Sequence, residues 1–328
     1  MQSFTKTLYN RQGEKSMKDI RIVFFGTPKF ACSVLETLIN EKYNVVAVVS
    51  QPDKPIGRKQ IIEKTPTHIL ADEYNIPVVQ QLKLRDEVES VLAYEPELVV
   101  TCAYGQIIPE SILNYPKYGC LNVHPSLLPK YRGGAPVHRA IMNGDKETGV
   151  CLMEMVKAMD AGKVYAVENV SIEEDMTTFD LNNELEKVSS SMIIKYLPMY
   201  LNGELPGIEQ DESKVVLAKN ISREEEQVSF ESEDIDTIYN HIRALIDWPI
   251  AYGLLEGKRV KFYNARKTSI DHTYKIGEII DFNDGSMNIA CKNGILHIYE
   301  LQYEGKNKMD AKSFYNGLGK NLVGKIFD

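Results

Sequence analysis

This chain of 328 residues has few cysteines, and they do not form the motifs that bind metals or close disulfide frameworks. The five cysteines include no Cys-x-x-Cys pair, and the six histidines show neither His-x-x-x-His nor His-Glu-x-x-His spacing. This pattern argues against a disulfide framework, gives little support to a zinc site and favours a reducing cytoplasm. No apolar run approaches the roughly 20 residues that span a bilayer.

The glycine fingerprint of dinucleotide-binding proteins is also missing. The first apolar run ends at Gly26-Thr27-Pro28, whereas a G-x-G-x-x-G turn needs three glycines. NAD is therefore rejected as a cofactor. Gly26 fits a simple strand-to-helix turn and a ligand-lining position equally well.

Short apolar runs alternate with helical patterns through the first half of the chain. The predicted strands are 20–25, 45–49, 78–79, 98–102 and 121–124, and the predicted helices are 30–40, 66–74, 84–94 and 135–143. This alternation predicts βαβ units and an α/β fold with a mostly parallel, Rossmann-like sheet. Ligands bind at the carboxyl ends of such strands, where Gly26, Tyr104 and His124 fall.

The pattern changes after a strand at 164–170 and a helix at 177–201. Several short strands with hairpin dipeptides at Asp284-Gly285 and Asn293-Gly294 follow a helix at 235–245. They predict a small closed barrel of the oligonucleotide-binding (OB) type, into which Trp248 and Tyr252 would pack. The predicted segments are a disordered extension over 1–16, an α/β domain over 17–203, a linker over 204–222 and the OB-like domain over 223–328.

The charge of the chain does not decide whether it binds nucleic acid. The net charge is −8, but residues 257–328 carry twelve Lys or Arg against eight Asp or Glu, a local net charge of +4. A local basic face can attract phosphates although the whole chain is acidic. A charge of this size is equally compatible with an ordinary solvated surface.

Asn122 and His124 form an Asn-x-His pair at the end of the fifth predicted strand. Side chains at i and i+2 lie on one face of a strand, and Pro125 ends the strand beside them. An amide donor next to an imidazole can stabilise an oxyanion and move a proton. A carboxylate such as Asp160, in an Asp-x-Gly sequence, could orient the imidazole or order a water. Alone, Asn-x-His fits a structural histidine at least as well.

Two longer motifs favour the catalytic interpretation. The stretch 126–136 reads Ser-Leu-Leu-Pro-Lys-Tyr-Arg-Gly-Gly-Ala-Pro, and 242–252 reads Ile-Arg-Ala-Leu-Ile-Asp-Trp-Pro-Ile-Ala-Tyr. With Asn122, His124 and Asp160, the first resembles the folate-dependent formyltransferases, which use an Asn, a His and an Asp on a Rossmann-like domain. The second is similar to a C-terminal motif of the members that act on tRNA. The resemblance covers nearly the whole chain, from about residue 20 to 326.

The resemblance implies formyl transfer from 10-formyltetrahydrofolate to the α-amino group of initiator methionyl-tRNA, in translation initiation. Asn122 and protonated His124 would donate hydrogen bonds to the developing oxyanion, and Asp160 would hold His124 charged and oriented. No metal is required. The chain would act as a cytoplasmic monomer. The folate would be bound by Ser126, Leu127, Leu128 and Pro129.

The resemblance also places the tRNA acceptor end at a loop after the second strand, where Arg58 would contact it. This chain departs from the family pattern in four places. Ala161 replaces the threonine of a common Asp-Thr-Gly, His68 stands where many relatives have lysine, and Asp247 and Ile250 alter the C-terminal motif. We expect the role of the carboxylate to survive these changes.

Three alternatives remain open from the sequence. An amino-sugar N-formyltransferase would share the Asn, His and Asp but should lack the C-terminal Trp-Pro motif. A glycinamide ribonucleotide formyltransferase would normally end near residue 200, without a barrel domain. A non-catalytic tRNA-binding protein on the same scaffold would not bind the folate donor.

Overall fold

The computed structural model describes residues 16–56 and 60–328. These residues form two compact units. The first unit comprises the chain up to Gly134 with 149–170 and 183–217, and the second comprises 135–148, 171–182 and 218–328. Most of the predicted extension over 1–16 lies outside the described residues, and the predicted domain boundaries stay predictions.

The strands and helices alternate over the first part of the chain, and strands predominate in the last part. The strands are β1 Arg21–Gly26, β2 Asn44–Ser50, β3 Lys54–Ile56, β4 Ile61–Glu63, β5 Val78–Gln80, β6 Leu98–Cys102, β7 Cys120–His124, β8 Lys130–Arg132, β9 Glu147–Glu154, β10 Val164–Ser171, β11 Val216–Leu217, β12 Tyr252–Leu255, β13 Lys258–Ser269, β14 Ile279–Asp281, β15 Met287–Cys291, β16 Gly294–Tyr303 and β17 Met309–Asp310. The helices are α1 Lys29–Asn40, α2 Pro66–Glu73, α3 Glu89–Leu92, α4 Glu110–Leu113, α5 Pro136–Met142, α6 Thr178–Leu201, α7 Ile235–Leu245 and α8 Ala311–Gly317. None of the described helices is long and apolar enough to cross a membrane.

The first unit is built on a sheet with strand order β10-β9-β7-β6-β1-β2-β5. The pairs from β7 through β6, β1 and β2 to β5 are parallel, as the βαβ rhythm predicts. All five residues of β6 are buried, because a parallel sheet is covered by helices on both faces. The predicted α/β fold with a mostly parallel sheet is confirmed.

Several elements of the first unit differ from the prediction. The predicted helix at 84–94 is instead a 3-10 turn at Leu84–Asp86 followed by α3, because Glu87 leaves helical geometry with φ −138°. Strand β9 was not predicted, since its run Thr148–Met153 is buried on both faces and shows no alternation. It pairs antiparallel with β7, with His124 opposite Cys151. This strand leads into the loop that carries Asp160.

The second unit contains a curled antiparallel sheet with order β12-β13-β16-β15-β14, and β17 pairs with β16. The C-terminal residues bridge its two ends, since Phe327 pairs with Leu255 beside β12 and Ile326 pairs with Glu278 beside β14. A cluster of Phe230, Phe262 and Phe327 fills the interior, with ring centroids 5.0–6.4 Å apart. The predicted OB-like domain is thus confirmed as a partly closed, half-barrel sheet.

Helix α7 packs against β13 and α5 in the second unit. Asp234 caps its N-terminus by accepting a hydrogen bond from the Thr237 amide at 2.9 Å. The prediction that Trp248 packs into the barrel is wrong, since 72% of its surface is exposed. Ile250 and Tyr252 occupy the buried positions of this segment, and Trp248 lies at the surface.

An ion pair in the second unit generates a prediction about acid stability. Arg139 donates to both carboxylate oxygens of Glu225, at 2.6 and 3.0 Å, and lowers the pKa of Glu225 from 4.5 to about 2. A lowered pKa means that the stabilisation is complete above pH 4.5 and is lost as the pH falls toward 2. Since Glu225 is partly exposed, we expect Glu225→Gln to cost about 1 kcal/mol or less at pH 7.

The difference in unfolding free energy between wild type and Glu225→Gln, measured by urea denaturation, should therefore shrink as the pH is lowered below 4.5. Glu231→Gln, at an exposed carboxylate, is the control and should leave the pH dependence unchanged. A difference that stays constant down to pH 3 would contradict the assignment.

Candidate functional site

Strand β7 brings the Asn122 and His124 side chains to one face at the carboxyl end of the sheet. Both are buried, with 9% and 4% of their surfaces exposed. Thr101 lies opposite Asn122 on β6, and its hydroxyl donates to Asn122 Oδ1 at 2.7 Å. In this arrangement the carboxamide oxygen faces Thr101. The NH₂ group is left without a hydrogen bond to any described residue and can donate to a bound molecule.

The His124 ring lies between two acceptors. Its Nε2 is 3.0 Å from the Tyr131 carbonyl oxygen, and its Nδ1 is 3.8 Å from Asp160 Oδ2. Because a carbonyl can only accept, Nε2 carries a hydrogen; a ring that also donates toward Asp160 must carry a second one. The 3.8 Å separation is longer than a hydrogen bond, and a substrate group beside the pair can hydrogen-bond to both Nδ1 and the carboxylate.

Asp160 is held in a loop between β9 and β10 by three hydrogen bonds. Its Oδ2 accepts from the Gly133 amide at 2.8 Å, and Gln210 Nε2 donates to the carbonyls of Asp160 and Gly162, both at 2.8 Å. A side chain at Gly162 would collide with the Glu154 carbonyl. Close packing therefore explains the glycine of the Asp-x-Gly sequence.

The segment predicted to be a linker contributes to this site. Arg132, only 6% exposed, donates to Gln210 Oε1 at 3.0 Å and to both Glu212 oxygens at 2.7 and 3.2 Å. These hydrogen bonds lower the pKa of Glu212. Strand β11 pairs with β8 beside them. Sequence reasoning missed Gln210 and Glu212 because a stretch without periodicity gives no signal for tertiary contacts.

Three residues around the site have left-handed backbone conformations. Ala103, Tyr131 and Asp160 have φ angles of 48°, 67° and 48°. Such conformations cost roughly 1–2 kcal/mol for a residue with a Cβ, and they cluster at functional sites because the surrounding packing must enforce them. At Tyr131 the conformation places the carbonyl against His124, and at Asp160 it accompanies the contact with Gly133.

The predicted folate-contacting stretch forms a turn after β7. Ser126 is fully buried, and its hydroxyl donates to the Lys130 carbonyl at 2.7 Å, so it holds the turn closed. Leu127, Leu128 and Pro129 are half-buried. Leu128 packs against a small apolar cluster of Cys151, Met153 and Val164. The predicted tRNA contact Arg58 lies outside the described residues.

The loops after β1, β2 and β6 are tied together at the same edge of the sheet. The Tyr104 carbonyl accepts hydrogen bonds from Thr27 Oγ1 at 3.0 Å and from Gln51 Nε2 at 3.1 Å. The Tyr104 hydroxyl is buried without a partner among the described residues, and burial raises the pKa of Tyr104 to about 12. The Tyr104 ring packs edge-on against Phe25 in the core of the first unit. Over residues 16–56 and 60–328, no cluster of three or more His, Cys, Asp or Glu side chains could hold a metal ion.

Comparison with known proteins gives consistent matches. The formyl transferase family model matches residues 20–197, and the model of the formyl transferase C-terminal domain matches residues 220–319. A methionyl-tRNA formyltransferase from Bacillus cytotoxicus is 44% identical over 301 residues, covering 91% of this chain and 96% of the relative. One from Halalkalibacterium halodurans is 42% identical over 311 residues, covering 94% of this chain and 98% of the relative.

Solved structures share the fold at low identity. HypX from Aquifex aeolicus, in complex with tetrahydrofolic acid, has a TM-score of 0.67 at 19% identity over 93% of this chain. The match covers 48% of HypX, so this chain spans about half its length. An N-formyltransferase from Helicobacter canadensis, in complex with folinic acid and dTDP-3-aminofucose, has a TM-score of 0.64 at 19% identity, covering 85% of this chain and 98% of that one.

The hydrogen bonds of Gln210 generate a prediction about stability. We expect Gln210→Ala to lower the unfolding free energy by about 1–3 kcal/mol, because it leaves the Asp160 and Gly162 carbonyls and the Arg132 guanidinium with fewer partners. Urea denaturation of the purified protein measures the loss. The exposed neighbour Glu209→Ala is the matched control and should change stability by less than about 0.5 kcal/mol. Equal stabilities of the two variants would refute the contact.

Proposed function

This chain belongs to the methionyl-tRNA formyltransferase family, and we propose that Asn122, His124 and Asp160 carry out the reaction of that family. The enzyme transfers a formyl group from 10-formyltetrahydrofolate to the α-amino group of methionine on the initiator tRNA, for translation initiation. The methionyl-tRNA formyltransferases match this chain nearly end to end at 42–44% identity, whereas the solved N-formyltransferases share only 18–19% identity with it. This difference supports a tRNA acceptor over an amino sugar.

The arrangement of three polar groups at the end of β7 carries the assignment of the site. The Asn122 NH₂ group is the unpaired donor. The Asp160 carboxylate faces His124 Nδ1 at 3.8 Å, and neither of these two atoms is hydrogen-bonded to the other. All three side chains are mostly buried, so charges that develop among them are poorly screened by water. A donor, a proton carrier and a carboxylate are what acyl transfer to an amine requires.

The folate donor, when bound, supplies an electrophilic formyl carbon and a nitrogen leaving group. Asn122 donates its NH₂ hydrogen bond to the formyl oxygen, which becomes negative as the amine adds. Thr101 holds the carboxamide in that orientation. Loss of one such donor typically lowers the rate by about 10²–10³.

Proton movement is assigned to the other two side chains. The added amine must lose a proton, and Asp160 is the base that accepts it. His124, held at Nε2 by the Tyr131 carbonyl and faced by Asp160, donates from Nδ1 to the formyl oxygen. The proton then passes to the leaving nitrogen. A relay of this kind contributes roughly 10²–10⁴ to the rate.

The residues present fit the folate donor. Leu127, Leu128 and Pro129 offer a half-buried apolar wall for a flat ring, and the turn that Ser126 holds closed offers backbone polar groups. We therefore assign the contacts of the ring to Ser126–Pro129.

The tRNA is assigned to the β3–β4 hairpin and to the C-terminal part of the chain. In the hairpin Ile61 and Ile62 are 59% and 71% exposed, as for a surface that contacts another molecule. Arg58, outside the described residues, is retained as the predicted contact to the acceptor end. We also retain the boundaries 17–203, 204–222 and 223–328, with the last segment as the tRNA-binding domain, a monomeric state and a cytoplasmic location.

Formyl transfer to initiator methionyl-tRNA, with wild type and His124→Ala compared, tests the function and the site together. We expect transfer by the wild type and a loss of at least about 10²-fold in kcat for the variant, which lacks the proton carrier. Folate binding measured on both proteins shows that the variant is folded. A folded, folate-binding wild type that leaves the tRNA unformylated would refute the function, and an active variant would refute the site.

The Thr101 hydroxyl reaches the site through its hydrogen bond to Asn122, and a second prediction follows from that. We expect Thr101→Val to lower kcat by about tenfold with little change in KM for tRNA, because the carboxamide is free to turn its oxygen toward the substrate. Thr101→Ser retains the hydroxyl and should restore most of the rate. A Val variant as active as the Ser variant would show that the Asn122 orientation does not depend on this bond.

A further inference from the structure

The second unit contains a polar cavity of about 490 Å³ that the reaction described above does not use. Its charged lining consists of Lys146, Arg243 and Lys267 with the carboxylates of Glu174 and Asp236. Side-chain amides and a hydroxyl complete the wall. Three basic residues against two acidic ones leave the cavity with a net positive charge.

Arg243 is the most informative residue of this cavity. It is 97% buried, since only 3% of its surface is exposed. Its Nε donates to Asn240 Oδ1 at 2.9 Å, and its Nη1 donates to the Met176 carbonyl at 2.7 Å. These partners are neutral. The remaining nitrogen, Nη2, donates no hydrogen bond to any described residue, so a buried guanidinium offers an unused pair of donors at the cavity.

The two carboxylates of the cavity share one lysine. Lys267 forms ion pairs with Glu174, at 3.0 Å, and with Asp236. Lys146 is exposed and pairs with none of the carboxylates in the part of the chain that the structure describes. Arg243 and Lys146 are therefore the two cations without a carboxylate partner, and an anion can interact with both.

We propose that this cavity binds a phosphate group through Arg243 and Lys146. A guanidinium presents paired donors that match the oxygens of a phosphate, and an ammonium adds a mobile charge. A volume of about 490 Å³ also admits the sugar attached to a phosphodiester. The phosphate comes either from the backbone of the tRNA or from a free phosphate compound. The first of these sources rests on the proposed function.

Inorganic phosphate is the first probe, titrated into the full-length protein and followed by ³¹P NMR. We expect Arg243→Lys, which keeps the charge but loses the paired donors, and Lys146→Gln to weaken phosphate binding about tenfold each. Lys117→Gln removes an exposed charge outside the segments assigned to the tRNA and is the matched control. Thermal unfolding checks that Arg243→Lys is folded, and the exposed Lys146→Gln keeps the test valid if it is not.

The second probe is initiator methionyl-tRNA, whose affinity is measured at several salt concentrations. If the phosphate belongs to the tRNA, each cavity variant should weaken tRNA binding about tenfold and reduce the salt dependence, the slope of log K against log salt, by about one. KM for tRNA should rise while kcat at saturation is kept. If the phosphate is a free compound, inorganic phosphate binding is weakened and tRNA affinity is unchanged.

Variants that bind both probes as tightly as wild type and Lys117→Gln would overturn the proposal. Failure of the proposed function is recognised separately, because formyl transfer is assayed on the same wild-type sample. A protein that binds inorganic phosphate at Arg243 but does not formylate tRNA would retain the phosphate site and lose the tRNA as its ligand.

Discussion

The hydrogen bond from the Gly133 amide to the Asp160 carboxylate is the contact on which the site depends. It joins the turn after β7 to the loop after β9, and it fixes the carboxylate 3.8 Å from His124 Nδ1. A carboxylate held by a backbone amide keeps its position without a second side chain. Asp160 can therefore face His124 with one oxygen engaged and its charge available.

The rest of the site maintains this contact from both sides. Gln210 holds the loop backbone at Asp160, and Arg132 holds Gln210. On the other side the Tyr131 carbonyl fixes the His124 ring. Left-handed backbone at Tyr131 and Asp160 is an energetic cost that these hydrogen bonds and the surrounding packing offset. An arrangement assembled before substrate binds does not have to reorganise during the reaction.

Local rules predicted the sheet and part of the site. Periodicity placed β6 at its observed bounds, and the i, i+2 rule placed Asn122 beside His124 on β7. Asp160 came from the family resemblance, since nothing local links it to β7. Thr101 and Gln210 were not predicted, because their contacts join residues 21 and 50 positions apart. Trp248 was wrongly assigned to the core, because the sequence of the motif does not indicate which of its apolar and aromatic side chains is buried.

The rate of a single turnover for Asp160→Asn, with both substrates saturating, tests the central claim most directly. Asparagine keeps an oxygen that can accept from the Gly133 amide, so the position is kept while the charge facing His124 and the proton acceptor are removed. We predict a fall of about 10²–10⁴ in the rate of formyl transfer, with the affinities for folate and tRNA unchanged. A variant that transfers the formyl group as fast as wild type would contradict the account.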